Sequence, residues 1–154
     1  MDKAYQRAIN EKIRLLSESI GELKVLAKYE PQWSLPQPLS ERESHGSGLS
    51  SAIGCYKIIY IPTNEVMDIG QGNIGNRKNR HKSCFLNEGK PLIHEGGTMT
   101  ASTTALHMWK FDTDIENWAF SWCDLGSKHL AEEYEKQLID EHQPQFNSVH
   151  MGGK

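Results

Sequence analysis

The sequence predicts an α+β fold: a small, largely antiparallel sheet flanked by helices, preceded by an N-terminal helical arm. Three observations carry this. Tyr56, Ile58, Ile59, Tyr60 and Ile61 are β-formers, and Val66-Met67-Asp68-Ile69 returns after the turn chemistry of Pro62-Thr63-Asn64, which together read as a β-hairpin. Apolar residues at helical spacing recur near both ends of the chain. Helices and strands then mix without the regular βαβ repetition that builds a parallel sheet.

Residues 1–30 read as one helix. Ile9, Ile13, Leu16, Ile20, Leu23 and Ala27 step alternately by four and three, a heptad stripe that can pack on the protein's own core or on a second copy. Pro31 and the Trp33-Ser34-Leu35-Pro36-Gln37-Pro38 run end it. Residues 31–52 form a Pro-, Ser- and Gly-rich linker or arm, with the 46–51 stretch marking the start of the compact core, residues 53–148. Gly70 and Gly72 close the hairpin, and Asn73 caps a helix to about residue 83. Residues 84–104 read as a long loop. Leu106 to Phe111 and Trp118 to Cys123 are short and apolar and read as strands, with Trp109, Trp118 and Trp122 building the packed face of the sheet. Ser127 caps a helix from about Lys128 to His142 that Pro144 stops, and 149–154 is a tail.

Composition narrows the functional classes. The chain has 154 residues, 37% of them hydrophobic, enough for one domain with a modest core. No apolar run approaches the roughly 20 residues that span a bilayer, and the charged N-terminus lacks the apolar stretch of a signal peptide. Cys55, Cys84 and Cys123 form no C-x-x-C pair, which disfavours a zinc ribbon or disulfide framework and fits a reducing, cytoplasmic setting. A net charge of −3 argues against non-specific coating of nucleic acid, but not against a locally basic contact face.

Two clusters carry chemistry. Tyr56 on one strand, the Gly70 and Gly72 approach on the next, and Arg77 and His81 one helical turn apart make a site for a phosphate. Lys78, Arg80 and Lys82 add positive charge to that helix, as a solvated face or as a contact surface for DNA. On the last helix, Leu130, Ala131, Tyr134, Leu138 and Ile139 mark a buried stripe, and Glu135 borders it. A carboxylate there needs a cation, a donor or a metal. The remaining histidines form no metal-ligand spacing of the His-Glu-x-x-His kind.

Taken in order, these residues resemble the GIY-YIG nuclease superfamily over about residues 53–148. Gly54-Cys55-Tyr56 stands where the family has Gly-Ile-Tyr, and Asp68-Ile69-Gly70 where it has Tyr-Ile-Gly. Arg77 and His81 match its arginine and the residue one turn later. Glu135, Pro144 and Asn147 match its late glutamate helix and Pro-x-x-Asn ending. The resemblance implies a three-stranded central sheet and a metal-dependent endonuclease of restriction or phage type, acting on double-stranded DNA. Glu135 would hold Mg²⁺ or Mn²⁺, Arg77 the scissile phosphate, and Tyr56 would orient or deprotonate the water. His81 would relay the proton or bond Tyr56. Asn147 would brace the site or touch the phosphate. The heptad stripe offers a homodimer contact. Asp68 in place of the second tyrosine departs from the pattern: it could bond the water, contact the metal, or leave a non-catalytic DNA-binding or assembly module that kept the fold. A metabolic phosphoesterase is the third option.

Overall fold

The computed structural model describes residues 3–19, 31–42 and 48–147. The elements, in chain order, begin with α1 (Lys3–Ser19) and β1 (Gln37–Pro38), then a 3₁₀ turn (Leu49–Ser51). The hairpin follows as β2 (Ile53–Tyr60) and β3 (Glu65–Asn73), and the chain continues into α2 (Ile74–Leu86). A second, small hairpin, β4 (Leu92–Ile93) and β5 (Met99–Thr100), leads to α3 (Thr103–Phe111). A 3₁₀ turn (Ile115–Asn117), β6 (Trp118–Asp124) and α4 (Lys128–His142) complete the fold.

The fold is α+β, with an antiparallel four-stranded sheet in the order β1-β6-β2-β3. The resemblance implied three strands; the sheet has four, three of them long. The fourth is the two-residue β1, contributed by the arm: Leu39 N donates to Trp118 O and Ser34 N to Trp122 O, both at 2.8 Å. The described part of the arm is therefore an ordered wrap. Leu39, Leu49 and Ala52 are buried in the main core, so the compact region starts before residue 46.

The sheet carries a core on each face. Tyr56, Ile58, Met67, Ile74, Phe85, Met108, Trp118 and Phe120 build the larger one beneath α2 and α3. Cys55, Ile69, Cys123, Ala131, Tyr134 and Leu138 build the smaller one beneath α4. This two-sided burial explains why β2 reads as a nearly unbroken apolar run rather than an alternating one.

Residues 106–111 are not a strand but the second half of α3. Ser102 caps that helix, its Oγ accepting from Ala105 N at 2.9 Å, and the apolar run is the face it lays on α2. A short apolar run fits either element, and the cap decides. Trp109 therefore belongs to a helix, while Trp118 is buried on β6 and Trp122 is half-buried. The expected loop at 84–104 contains the end of α2 and the β4–β5 hairpin. The Asn73 and Ser127 caps form as expected, accepting from Asn76 N and Leu130 N. Of the heptad stripe, Ile20, Leu23 and Ala27 lie outside the described residues, as does the 149–154 tail. Among the described residues no helix is long and apolar enough to cross a membrane.

Candidate active site

Register brings the hairpin residues together. Tyr56 pairs with Gly70 and Ile58 with Asp68, so Tyr56 and Asp68 share one face of the sheet. Each glycine has a steric cause. A β-carbon on Gly54 would overlap Cys123 O on β6, and one on Gly70 would collide with the hydroxyl end of Tyr56, Oη and Cζ. Gly72 sits at φ +130°, and a β-carbon there would lie 2.8 Å from Arg77 Nε. The glycines thus let the phenol and the guanidinium lie flat against the β3 backbone.

Tyr56 is 4% exposed and stacked on Phe120, with ring centroids 5.2 Å apart. Its Oη is 2.7 Å from His81 Nε2, and His81 Nδ1 is 2.7 Å from Ser102 Oγ. A hydrogen-bonded chain therefore runs Tyr56–His81–Ser102 from β2 through α2 to the cap of α3. Burial raises the Tyr56 phenol far above its ordinary range, and the Asp68 carboxyl adds to this; Arg77 and Arg80 only partly oppose it. Desolvation outweighs the two guanidiniums, which leaves Tyr56 a neutral phenol that can donate or accept a hydrogen bond.

Asp68 is 2% exposed, and its carboxyl is pushed up to about 8, first by burial and then by Glu135; a 3.4 Å contact from Thr104 Oγ1 to Oδ2 works in the other direction. Its Oδ1 is buried with no partner. Glu135, half-buried on α4, is also raised by burial, with Arg77 opposing. Tyr56 therefore lies within electrostatic reach of Asp68, Arg77 and Glu135, and Glu135 within reach of Asp68 and Arg77.

Three expected DNA contacts have other work. Lys78 is buried and donates to Glu41 O at 3.2 Å; Lys82 donates to Ser40 O at 3.0 Å. Both lysines tie the arm to α2. Asn147 takes the bracing role. Its Oδ1 accepts from Ile69 N at 2.8 Å and its Nδ2 donates to Ile69 O at 2.9 Å, so the carboxamide stands where a further strand would pair with the edge strand β3. Arg80 and Arg77 remain open. Neither has a hydrogen bond or ion pair to a described residue, and both line a cleft of about 520 Å³ between α2 and the β4–β5 hairpin.

Compared with protein-family models, with curated proteins and with solved structures, the chain shows no match in any of the three. The site must be judged on its own chemistry. Sequence reasoning missed Ser102 and Thr104, which reach the site from α3. The Ser102-x-x-Ala105 cap was the available signal, hidden because the segment read as a strand.

Proposed function

We propose that the chain is a GIY-YIG-type, divalent-metal-dependent endodeoxyribonuclease of restriction or phage type that hydrolyses phosphodiester bonds in double-stranded DNA. The observation that carries this reading is the convergence of Tyr56, hydrogen-bonded to His81, with Arg77 flat on Gly72 and in electrostatic contact with Glu135. A guanidinium with no protein carboxylate locked to it is free to grip phosphoryl oxygens, two at a time.

Among the described residues no group of three or more His, Cys, Asp or Glu side chains converges to cage a metal. The donors nonetheless fit a hard cation that keeps waters and takes one or two carboxylates plus substrate phosphate. Glu135 would hold it. The buried, unpartnered Asp68 Oδ1 marks a place where positive charge would be welcome. When bound, Mg²⁺ or Mn²⁺ supplies charge stabilisation and lowers the proton affinity of a water. The chain's own residues do the rest. Arg77 holds and neutralises the scissile phosphate. Tyr56 orients the attacking water through its hydroxyl. His81, held by Ser102, fixes which way the Tyr56 hydroxyl points and can share a hydrogen bond with it.

A second reading has its own observation. The buried Asp68 carboxyl where the family carries a tyrosine favours a DNA-binding or assembly module without catalysis. Plasmid nicking with Mg²⁺ or Mn²⁺ separates the two. The expected result is nicking by the wild type and loss of at least ~100-fold in Glu135→Ala and Arg77→Ala, the scale of removing one preorganised charge-stabilising group. A wild type that binds DNA as tightly as Glu135→Ala and cuts nothing would leave only the binding module.

A further inference from the structure

The cleft beside Arg77 has a composition unlike the rest of this acidic chain. One wall is a single face of α2, carrying Asn76, Arg77, Asn79 and Arg80; the other is the hairpin face with Leu92 and His94. Among the described residues no carboxylate lines it. The Arg80 Nε is buried with no hydrogen-bond partner, an energetically costly state for part of a charged group unless an acceptor arrives. Asn76 and Asn79 are exposed, and neither carboxamide is bonded to a described residue, so each can offer an acceptor and donors to a ligand. The hairpin wall is braced by a His94–Thr100 side-chain hydrogen bond. The volume, about 520 Å³, falls in the range of small-molecule sites, about 300–1,000 Å³.

Arg77 belongs to both the catalytic cluster and this cleft. Arg80 follows it by three residues, which puts the two β-carbons about 5–6 Å apart on one helix face. A phosphate on Arg77 would therefore have its neighbour along the same strand within reach of Arg80, with the asparagines between them facing the intervening nucleotide. Asn carboxamides pair two-pronged with adenine edges.

Resting on the nuclease reading, we propose that the cleft between α2 and the β4–β5 hairpin holds the nucleotide next to the scissile phosphate. Arg80 clamps the adjoining phosphate, and Asn76 and Asn79 read the base. Lys78 and Lys82, committed to the arm, take no part.

The test uses the full chain and a 5′-fluorescein 20-base-pair duplex in EDTA, with anisotropy measured across a salt series. Arg80→Ala is expected to weaken binding about tenfold, as for a lost hydrogen bond to a charged group. It should also flatten the slope of log affinity against log salt by about 0.9, the signature of one phosphate contact. Arg80→Gln serves if Arg80→Ala does not fold by circular dichroism. Cleavage maps on long duplex DNA give the second arm. The Asn76→Ala/Asn79→Ala double variant is expected to lose base preference, roughly 10- to 100-fold, at one position beside the cut. An unchanged salt slope or an unchanged base profile overturns the proposal. If the wild type cuts DNA while the variants behave like it, the cleft assignment alone falls. If the wild type neither binds nor cuts DNA, the nuclease reading falls with it.

Discussion

Replacing Asp68 by asparagine isolates the cost of a buried carboxyl. In the unfolded chain this group ionises near pH 3.8; in the fold it does so at about 8. Between those values the folded state keeps a proton that the unfolded state has released. Unfolding then releases that proton, so stability falls as pH rises, and each pH unit costs about 1.4 kcal/mol. From pH 5 to pH 8 the ceiling is about 4 kcal/mol, and above pH 8 the loss levels off because both states are ionised. For a domain of this size 1 kcal/mol moves the melting temperature by about 2–4 °C, so the wild type should lose on the order of 10 °C from this group between pH 5 and 9. Asp68→Asn removes the titration while keeping the shape. The assay is calorimetric melting of both proteins in EDTA at pH 5, 7 and 9, read as the difference between them, which cancels the groups they share. The variant should match or trail the wild type at pH 5 and exceed it increasingly towards pH 9. Parallel pH curves would refute the reasoning, showing that water or a rearranged partner solvates the carboxylate.

Gly70→Ala drives a methyl into the hydroxyl end of Tyr56 and should cost about 1–3 kcal/mol by overpacking while abolishing nicking, measured by urea melts and the plasmid assay. Ser102→Ala removes both the α3 cap and the His81 Nδ1 partner; a stability loss of about 1–2 kcal/mol is expected, together with a shift in the pH profile of cleavage, whereas Ser102→Thr should retain both. Asn147→Ala strands the Ile69 N–H and C=O, for about 2–4 kcal/mol in the same melts, and faster amide exchange at Ile69 would locate the damage.

Much of the site was legible because its residues are constrained locally. The hairpin itself was legible from its β-formers and turn residues, but the bulge between Ile58 and Ile59 shifts the register by one, so Tyr56 opposite Gly70 was decided by the fold. Arg77 and His81 share a helix face at four-residue separation, and the Asn73 and Ser127 caps are written in single residues. Beyond the 106–111 helix and the 84–104 hairpin, what stayed hidden was the choice of partners. Lys78 and Lys82 look like any basic face until the arm's carbonyls arrive beside them, and Asn147 looks like a phosphate ligand until the edge of β3 meets it.

By itself, then, the sequence determined the α+β class, the β2–β3 hairpin, β6 and the Asn73 and Ser127 caps, because periodicity and turn residues act over a few positions. Tertiary structure alone decided that the arm supplies a fourth strand, that 106–111 is helical, and that Ser102 and Thr104 enter the site. It also decided the burial that pushes up the Tyr56 phenol and the Asp68 carboxyl. Desolvation depends on everything packed around a group, and those neighbours come from segments far apart in the chain.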